Sequence, residues 1–153
     1  MHATGSGKAG SEFESLDALG DFFQRQGVAA SHFAVDRRGR IMQYVREDQA
    51  AFHASRPGWN GISIGIELLN DNTGSQPFPD AQVVATRQLV QYLGTRYGIA
   101  AEAVVQHRDI QPEDRSDPAV NFRWDDFTRS LGSGVGSSTQ SRRTAEGSQR
   151  LPL

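Results

Sequence analysis

Residues 62–69, Ile-Ser-Ile-Gly-Ile-Glu-Leu-Leu, constrain the fold of this chain more than any other stretch. Strict alternation predicts a strand with Ile62, Ile64, Ile66 and Leu68 on one face and Ser63, Gly65, Glu67 and Leu69 on the other. A carboxylate in a central strand is costly unless it is paired, close to a metal or facing a cleft. Gly65, two residues earlier on the same face, leaves room for a ligand to approach. An edge strand with Glu67 in water fits the pattern equally well, and the alternation alone leaves both open.

Around this strand the signals alternate between helix and sheet. Ser11 with Glu14 suggests a capping box ahead of a helix carrying Leu16, Leu19, Phe22 and Phe23, with Gly27 as its stop. Residues 31–35 and 41–45 flank Asp36-Arg37-Arg38-Gly39-Arg40 and predict a β-hairpin. Pro79-Asp80 opens a long helix with Val83, Val84, Leu89, Val90, Leu93 and Tyr97 inward, closed by Gly98. Residues 103–105 read as a short buried strand that delivers His107 at its end, and 124–131 as a last short helix. The expected class is α/β, a central mixed sheet flanked by helices. From residue 131 the chain holds four Gly and five Ser with little apolar spacing. The expected organisation is therefore one domain over 1–130 and a flexible Gly/Ser-rich tail over 131–153.

Composition narrows the chemistry. Sixteen Lys and Arg stand against eighteen Asp and Glu, which gives no support to a nucleic-acid or membrane-surface binder. Cysteine is absent, so disulfides, thiolate metal sites and a cysteine nucleophile are excluded, and any metal must be held by His, Asp or Glu. The longest apolar runs fall far short of the ~18 residues that cross a bilayer. The first residues carry no apolar signal-peptide core. Cytoplasmic and exported locations stay open, since a start upstream could carry a signal. With no apolar stripe that argues for association, a monomer is expected.

Two of the four histidines stand out on spacing. His107 ends a strand signal, and Asp117 follows ten residues later on a loop. Such a pair can meet at one metal with a third ligand from elsewhere and an open position for water. The same spacing suits a core histidine. His53 lies in a loop shortly before Trp59-Asn60-Gly61, a setting that suits polar-ligand binding or plain surface decoration. Arg115 would lie beside any metal on Asp117, or be a solvated charge.

Five ordered motifs then carry a resemblance. They are His2-Ala3-Thr4, the hairpin Ser31-His32-Phe33-Ala34-Val35-Asp36-Arg37-Arg38-Gly39, Ala51-Phe52-His53-Ala54, Trp59-Asn60-Gly61 running into SIGIELLN, and QHRDIQPEDRSDPA. Over residues 1–128 or so the chain resembles the zinc-dependent N-acetylmuramoyl-L-alanine amidases of the type 2 class, whose fold is shared with phage lysozyme-amidases and peptidoglycan recognition proteins. The resemblance implies zinc on His2, His107 and Asp117, with Glu67 as the catalytic glutamate. It places Arg115 where the family usually has Lys near the metal, and His53 and Asn60 in segments lining the substrate groove. His32 is expected to serve the sheet rather than the metal. The implied reaction is hydrolysis of the amide between N-acetylmuramic acid and L-alanine in peptidoglycan or muropeptides. The rival is a peptidoglycan-binding module of the same fold without turnover. The family's first ligand follows a buried apolar strand, and here His2 is the second residue. That strand is therefore expected to be missing, with His2 poorly held. Gln106, Ala119 and Arg115 are smaller departures that remove no ligand.

Overall fold

The computed structural model describes residues 1–27 and 30–132. Strand β1 (His2–Ala3), helix α1 (Leu16–Gln26), β2 (Phe33–Val35), β3 (Ile41–Gln43), β4 (Ile66–Leu68), α2 (Asp80–Tyr97), the one-turn helix α3 (His107–Ile110) and α4 (Trp124–Gly132) follow in that order. One sheet runs β1-β4-β2-β3. β4 lies between β1 and β2 and is parallel to both, while β2 and β3 form the antiparallel hairpin. This is the mixed sheet expected from the sequence. Leu131 and Gly132 extend the last helix past the expected boundary, and Leu131 is buried in the core. The rest of the expected tail lies outside the described residues.

Alternation along the strands divides the core. Phe33, Val35, Ile66 and Leu68 point to α2 and α4, where they meet Leu89, Val90, Leu93, Phe127 and Leu131. Ala34 and Leu69 meet Leu16 and Leu19 of α1, with Phe22, Phe23, Met42 and Tyr44 half-buried around them. The Tyr44 hydroxyl donates to the Leu16 carbonyl at 2.7 Å and ties α1 to the hairpin. In the hairpin turn, Asp36 Oδ1 accepts from the backbone N–H of Arg38 at 2.9 Å and of Arg40 at 2.8 Å. Gly39 there has φ 81°, and a Cβ on it would stand 2.6 Å from the Ala81 carbonyl oxygen of α2, so a side chain is excluded.

Several local expectations are corrected. Helix α1 is capped by Ser15, whose Oγ accepts from Ala18 N–H at 3.1 Å. Ser11 instead accepts from Ser6 N–H and donates to the Asp71 carbonyl. The strand at 62–69 is shorter than its alternation, because Trp59–Gly61 form a 3-10 turn and Ile62 is left 80% exposed. Residues 101–103 make another 3-10 turn in place of a strand. On α2, Val84 and Tyr97 face outward, and the buried side includes Gln82 and Thr86. Gln82 is there because the Leu69 carbonyl at the sheet needs a donor, and the same amide adds a second donor to Val35 O beside the Leu69 N–H. Its Nε2 donates to Val35 O at 3.0 Å and to Leu69 O at 3.1 Å.

Among the described residues no strand precedes His2, and β1 is His2 and Ala3 alone, but His2, expected to be poorly held, is buried and not frayed. The Met1 nitrogen donates to Val105 O at 2.7 Å, and His107 N–H donates to Met1 O at 3.0 Å. After β1 the chain stays beside residues 68–71, with Thr4 N–H on Leu68 O and Gly5 N–H on Asn70 O. Backbone groups on both sides thus hold an edge that has little apolar length of its own.

Replacing Gln82 by Leu tests the buried amide. Leu69 O loses its donor and Val35 O keeps only the N–H of Leu69, and we expect Gln82→Leu to cost about 1–3 kcal/mol. The measurement is the urea midpoint at unchanged slope; a midpoint equal to that of the parent rejects the assignment.

Candidate metal centre

The parallel register of β1 on β4 sets His2 directly opposite Glu67 and Ala3 opposite Leu68. Ala3 and Leu68 are buried on the helix α2 side, so His2 and Glu67 project together from the other face. On the outer side of β1, the pairing of Met1 with residues 105 and 107 brings the start of α3 alongside, and His107 turns inward. The loop after α3 returns with Arg108 N–H donating to Asp117 O at 3.0 Å, and Ala3 N–H donates to Asp117 Oδ2 at 3.3 Å. Three segments far apart in the chain thus deliver His2, His107 and Asp117 to one place, and all three are buried.

The donor atoms form a compact triangle. His2 Nδ1 lies 2.9 Å from His107 Nδ1, His107 Nδ1 lies 3.1 Å from Asp117 Oδ2, and His2 Nδ1 lies 3.6 Å from Asp117 Oδ2. Ligands about 2.0–2.1 Å from a tetrahedral zinc ion stand ~3.3 Å from one another, so the triangle has the size of one face of that tetrahedron. The chemistry of the donors agrees, with two imidazole nitrogens and one carboxylate oxygen. Burial pulls the His2 imidazole down to about 3, against the opposing effect of the Asp117 carboxylate as acceptor. Burial alone would raise Asp117, but the hydrogen bonds to His107 and His2 hold its carboxyl well below the usual range. Asp117 is therefore a carboxylate and His2 a neutral imidazole, the protonation that metal ligation requires of each.

Glu67 is the fourth group. Burial and then the nearby charge of Asp117 push its carboxyl up to about 8. Its Oε2 is enclosed and has no hydrogen-bond partner among the described residues. An unpartnered buried carboxyl oxygen beside a ligand triangle is expensive as structure and suited to moving a proton.

The remaining expected site residues take other partners. His53 Nδ1 meets His2 Nε2 at 3.1 Å, and burial lowers its imidazole to about 4. The space above Gly65 is filled by the His53 ring and is not open to a ligand, for a Cβ there would stand 2.4 Å from His53 Cγ. Asn60, expected at the substrate groove, spends its amide on the His53 loop. Its Oδ1 accepts from His53 N–H and Ala54 N–H, and its Nδ2 donates to Ala54 O. Arg115, expected beside the metal, is turned to Asp114 at 3.9 Å and half exposed. His32 serves the sheet as expected: its Nδ1 accepts from Gly65 N–H and its Nε2 donates to Gln49 O. Gln111, which sequence reasoning missed, has Oε1 3.0 Å from His107 Nε2. The signal available for it was its position one helical turn after a candidate ligand.

Comparison with known proteins agrees with this geometry. Residues 1–120 match the sequence profile described as N-acetylmuramoyl-L-alanine amidase. The chain is 35% identical over 109 residues to the 1,6-anhydro-N-acetylmuramyl-L-alanine amidase AmpD of Haemophilus influenzae, covering 67% of this chain and 58% of AmpD. It is 39% identical over 100 residues to the N-acetylmuramoyl-L-alanine amidase AmiD of Escherichia coli, covering 56% of this chain and 36% of AmiD. The chain spans little more than half the length of the first curated relatives it matches. Among solved structures, that of E. coli AmiD with anhydro-N-acetylmuramic acid-L-Ala-D-gamma-Glu-L-Lys superimposes with a TM-score of 0.71 at 30% identity, over 86% of this chain and 55% of AmiD. The LysC amidase of Clostridium intestinale, at 21% identity and TM-score 0.71 over 86% of this chain and 81% of its own, shares the fold.

Two measurements test the centre. Zinc added to chelator-treated protein raises the melting temperature, by the equivalent of about 2.7 kcal/mol at a free concentration a hundredfold above Kd. His107→Ala abolishes that rise; an equal rise in the variant rejects the site. Without metal, stability falls as pH drops below about 6.5, because the unfolded chain protonates His2 and His53 while the folded chain resists. Glu67, raised in the fold, opposes this between its ordinary value and about 8, but one group stands against two. A metal-free melting temperature that climbs from pH 6.5 to 5 rejects the buried neutral histidines.

Proposed function

The chain belongs to the N-acetylmuramoyl-L-alanine amidase family, and from that membership we propose that it hydrolyses the amide joining N-acetylmuramic acid to L-alanine in peptidoglycan or muropeptides, with zinc on His2, His107 and Asp117. The carrying observation is the unpartnered Glu67 carboxyl on the same sheet face as a buried ligand triangle. Bound there, zinc supplies positive charge that polarises the scissile carbonyl, acidifies the attacking water and draws Glu67 back toward its ionised form.

The protein's own groups then divide the work. The Glu67 carboxylate takes the proton of the attacking water and later returns it to the amine of the leaving L-alanine. Its place opposite His2 fixes that carboxylate on a strand rather than on a loop, which preserves its aim. Arg115, two residues before Asp117, offers a permanent cation to the developing oxyanion once it leaves its long contact with Asp114. The relatives named for the 1,6-anhydro sugar, and the anhydro-muropeptide in the AmiD structure, make an anhydro-muropeptide the first substrate to test. The rival reading, a binding module without turnover, has no loss of ligand or of Glu67 in its favour.

Peptide release from a purified anhydro-muropeptide decides between them. We expect release with zinc, none with chelator, and a fall of at least about a hundredfold in Glu67→Gln with zinc binding retained. Chelator-resistant release rejects the metal mechanism. Binding of the muropeptide without cleavage supports the module.

A further inference from the structure

A neutral imidazole carries one N–H and one lone pair, so a histidine can offer Nδ1 to a cation only if its proton sits on Nε2. In His2 and His107 the atoms that face Asp117 are both Nδ1. Something must therefore hold the proton of each ring on Nε2, and two hydrogen-bond chains do so.

The first chain runs from His2 to a backbone carbonyl. His2 Nε2 is 3.1 Å from His53 Nδ1, and His53 Nε2 is 3.3 Å from Ser63 Oγ. The Ser63 hydroxyl donates to Trp59 O at 2.6 Å. A carbonyl cannot donate, so the one proton of Ser63 is committed to it. Toward His53 the hydroxyl can only accept, and the proton of His53 lies on Nε2. His53 Nδ1 is then a lone pair, and toward it His2 Nε2 can only donate. The lone pair of His2 is left on Nδ1. Gly65 seats the His53 ring in this chain, since a Cβ there would run into it.

The second chain ends on a backbone N–H. Ser55 N–H donates to Gln111 Oε1 at 2.9 Å, while Gln111 Nε2 donates to Asp114 Oδ1 at 3.2 Å. The amide is thus oriented with its oxygen toward His107 Nε2, 3.0 Å away, which must donate. The lone pair of His107 is left on Nδ1.

We propose that His53, backed by Ser63, and Gln111 are positioning residues that fix His2 and His107 in the Nε2-protonated tautomer, so that both Nδ1 lone pairs face the cation. The proposal rests on the metal-site reading, and its first test does not use metal. Outer partners of this kind are worth about 10–100-fold in metal affinity.

Nitrogen-15 spectra of the metal-free protein at pH 7.5, where ordinary histidines are neutral, read each tautomer directly. We expect a proton on Nε2 of His2, His53 and His107. A bare Nε2 on His2 or His107 overturns the proposal. In Ser63→Ala the direction of the first chain is released, so His53 and His2 become tautomer mixtures. Zinc affinity, measured against a competing chelator, falls about 10-fold or more. Ser63→Thr, which keeps a hydroxyl, restores both. Unchanged tautomers and affinity in Ser63→Ala overturn the first chain, and an unchanged His107 tautomer in Gln111→Leu overturns the second. If the expected tautomers appear but zinc does not bind, the metal reading fails and the tautomer assignment stands.

Discussion

The parallel pairing of His2 with Glu67 is the contact on which the chemistry of this molecule depends. It places a ligand and a proton carrier side by side on one sheet face at a fixed strand spacing. It does so with a strand of only two residues, and so the burden of holding β1 falls on backbone bonds. Val105 and His107 grip Met1 from one side, and Leu68 and Asn70 receive Thr4 and Gly5 on the other. The same bonds that hold the strand also deliver His107, so edge stability and site assembly are one problem with one solution.

Several polar side chains inside this protein each serve more than one backbone group. Gln82 serves two sheet carbonyls, Asp36 serves two turn N–H groups, and Asn60 uses both ends of its amide on one loop. Buried polar atoms are tolerated when their partners are present. Glu67 Oε2 shares its lack of a partner with buried atoms of Glu12, Asn72, Gln82, Arg108 and Asn121, and what sets it apart is its place opposite the ligand His2, where an unsatisfied carboxyl can work on a proton.

Much of this was legible in the chain. Alternation around Glu67 marked a strand, glycines 27 and 98 marked two helix ends, and the family resemblance, more than spacing, grouped His2, His107 and Asp117. What was hidden shares a physical cause, for it depended on long-range contacts. Alternation continues through Ile62, but a 3-10 turn at 59–61 stops the strand first. Helical spacing could not say that α2 turns Gln82 and Thr86 inward in place of Val84 and Tyr97, because the need for a donor arises on the sheet. Gly65 promised space for a ligand, and His53 from another segment occupies it. The second residue of a chain reads as frayed until the bonds that flank it are seen.

The triangle also has a meaning for the chain as a polymer. His2 and His107 are separated by 105 positions, and their ring nitrogens stand 2.9 Å apart. An ion gripped by both is a crosslink that closes a loop over most of the folded body, and closing so long a loop restricts an unfolded chain far more than bridging neighbours would. An ion held in this position would at the same time be a clasp, added to the backbone bonds that already fasten the first strand to the sheet.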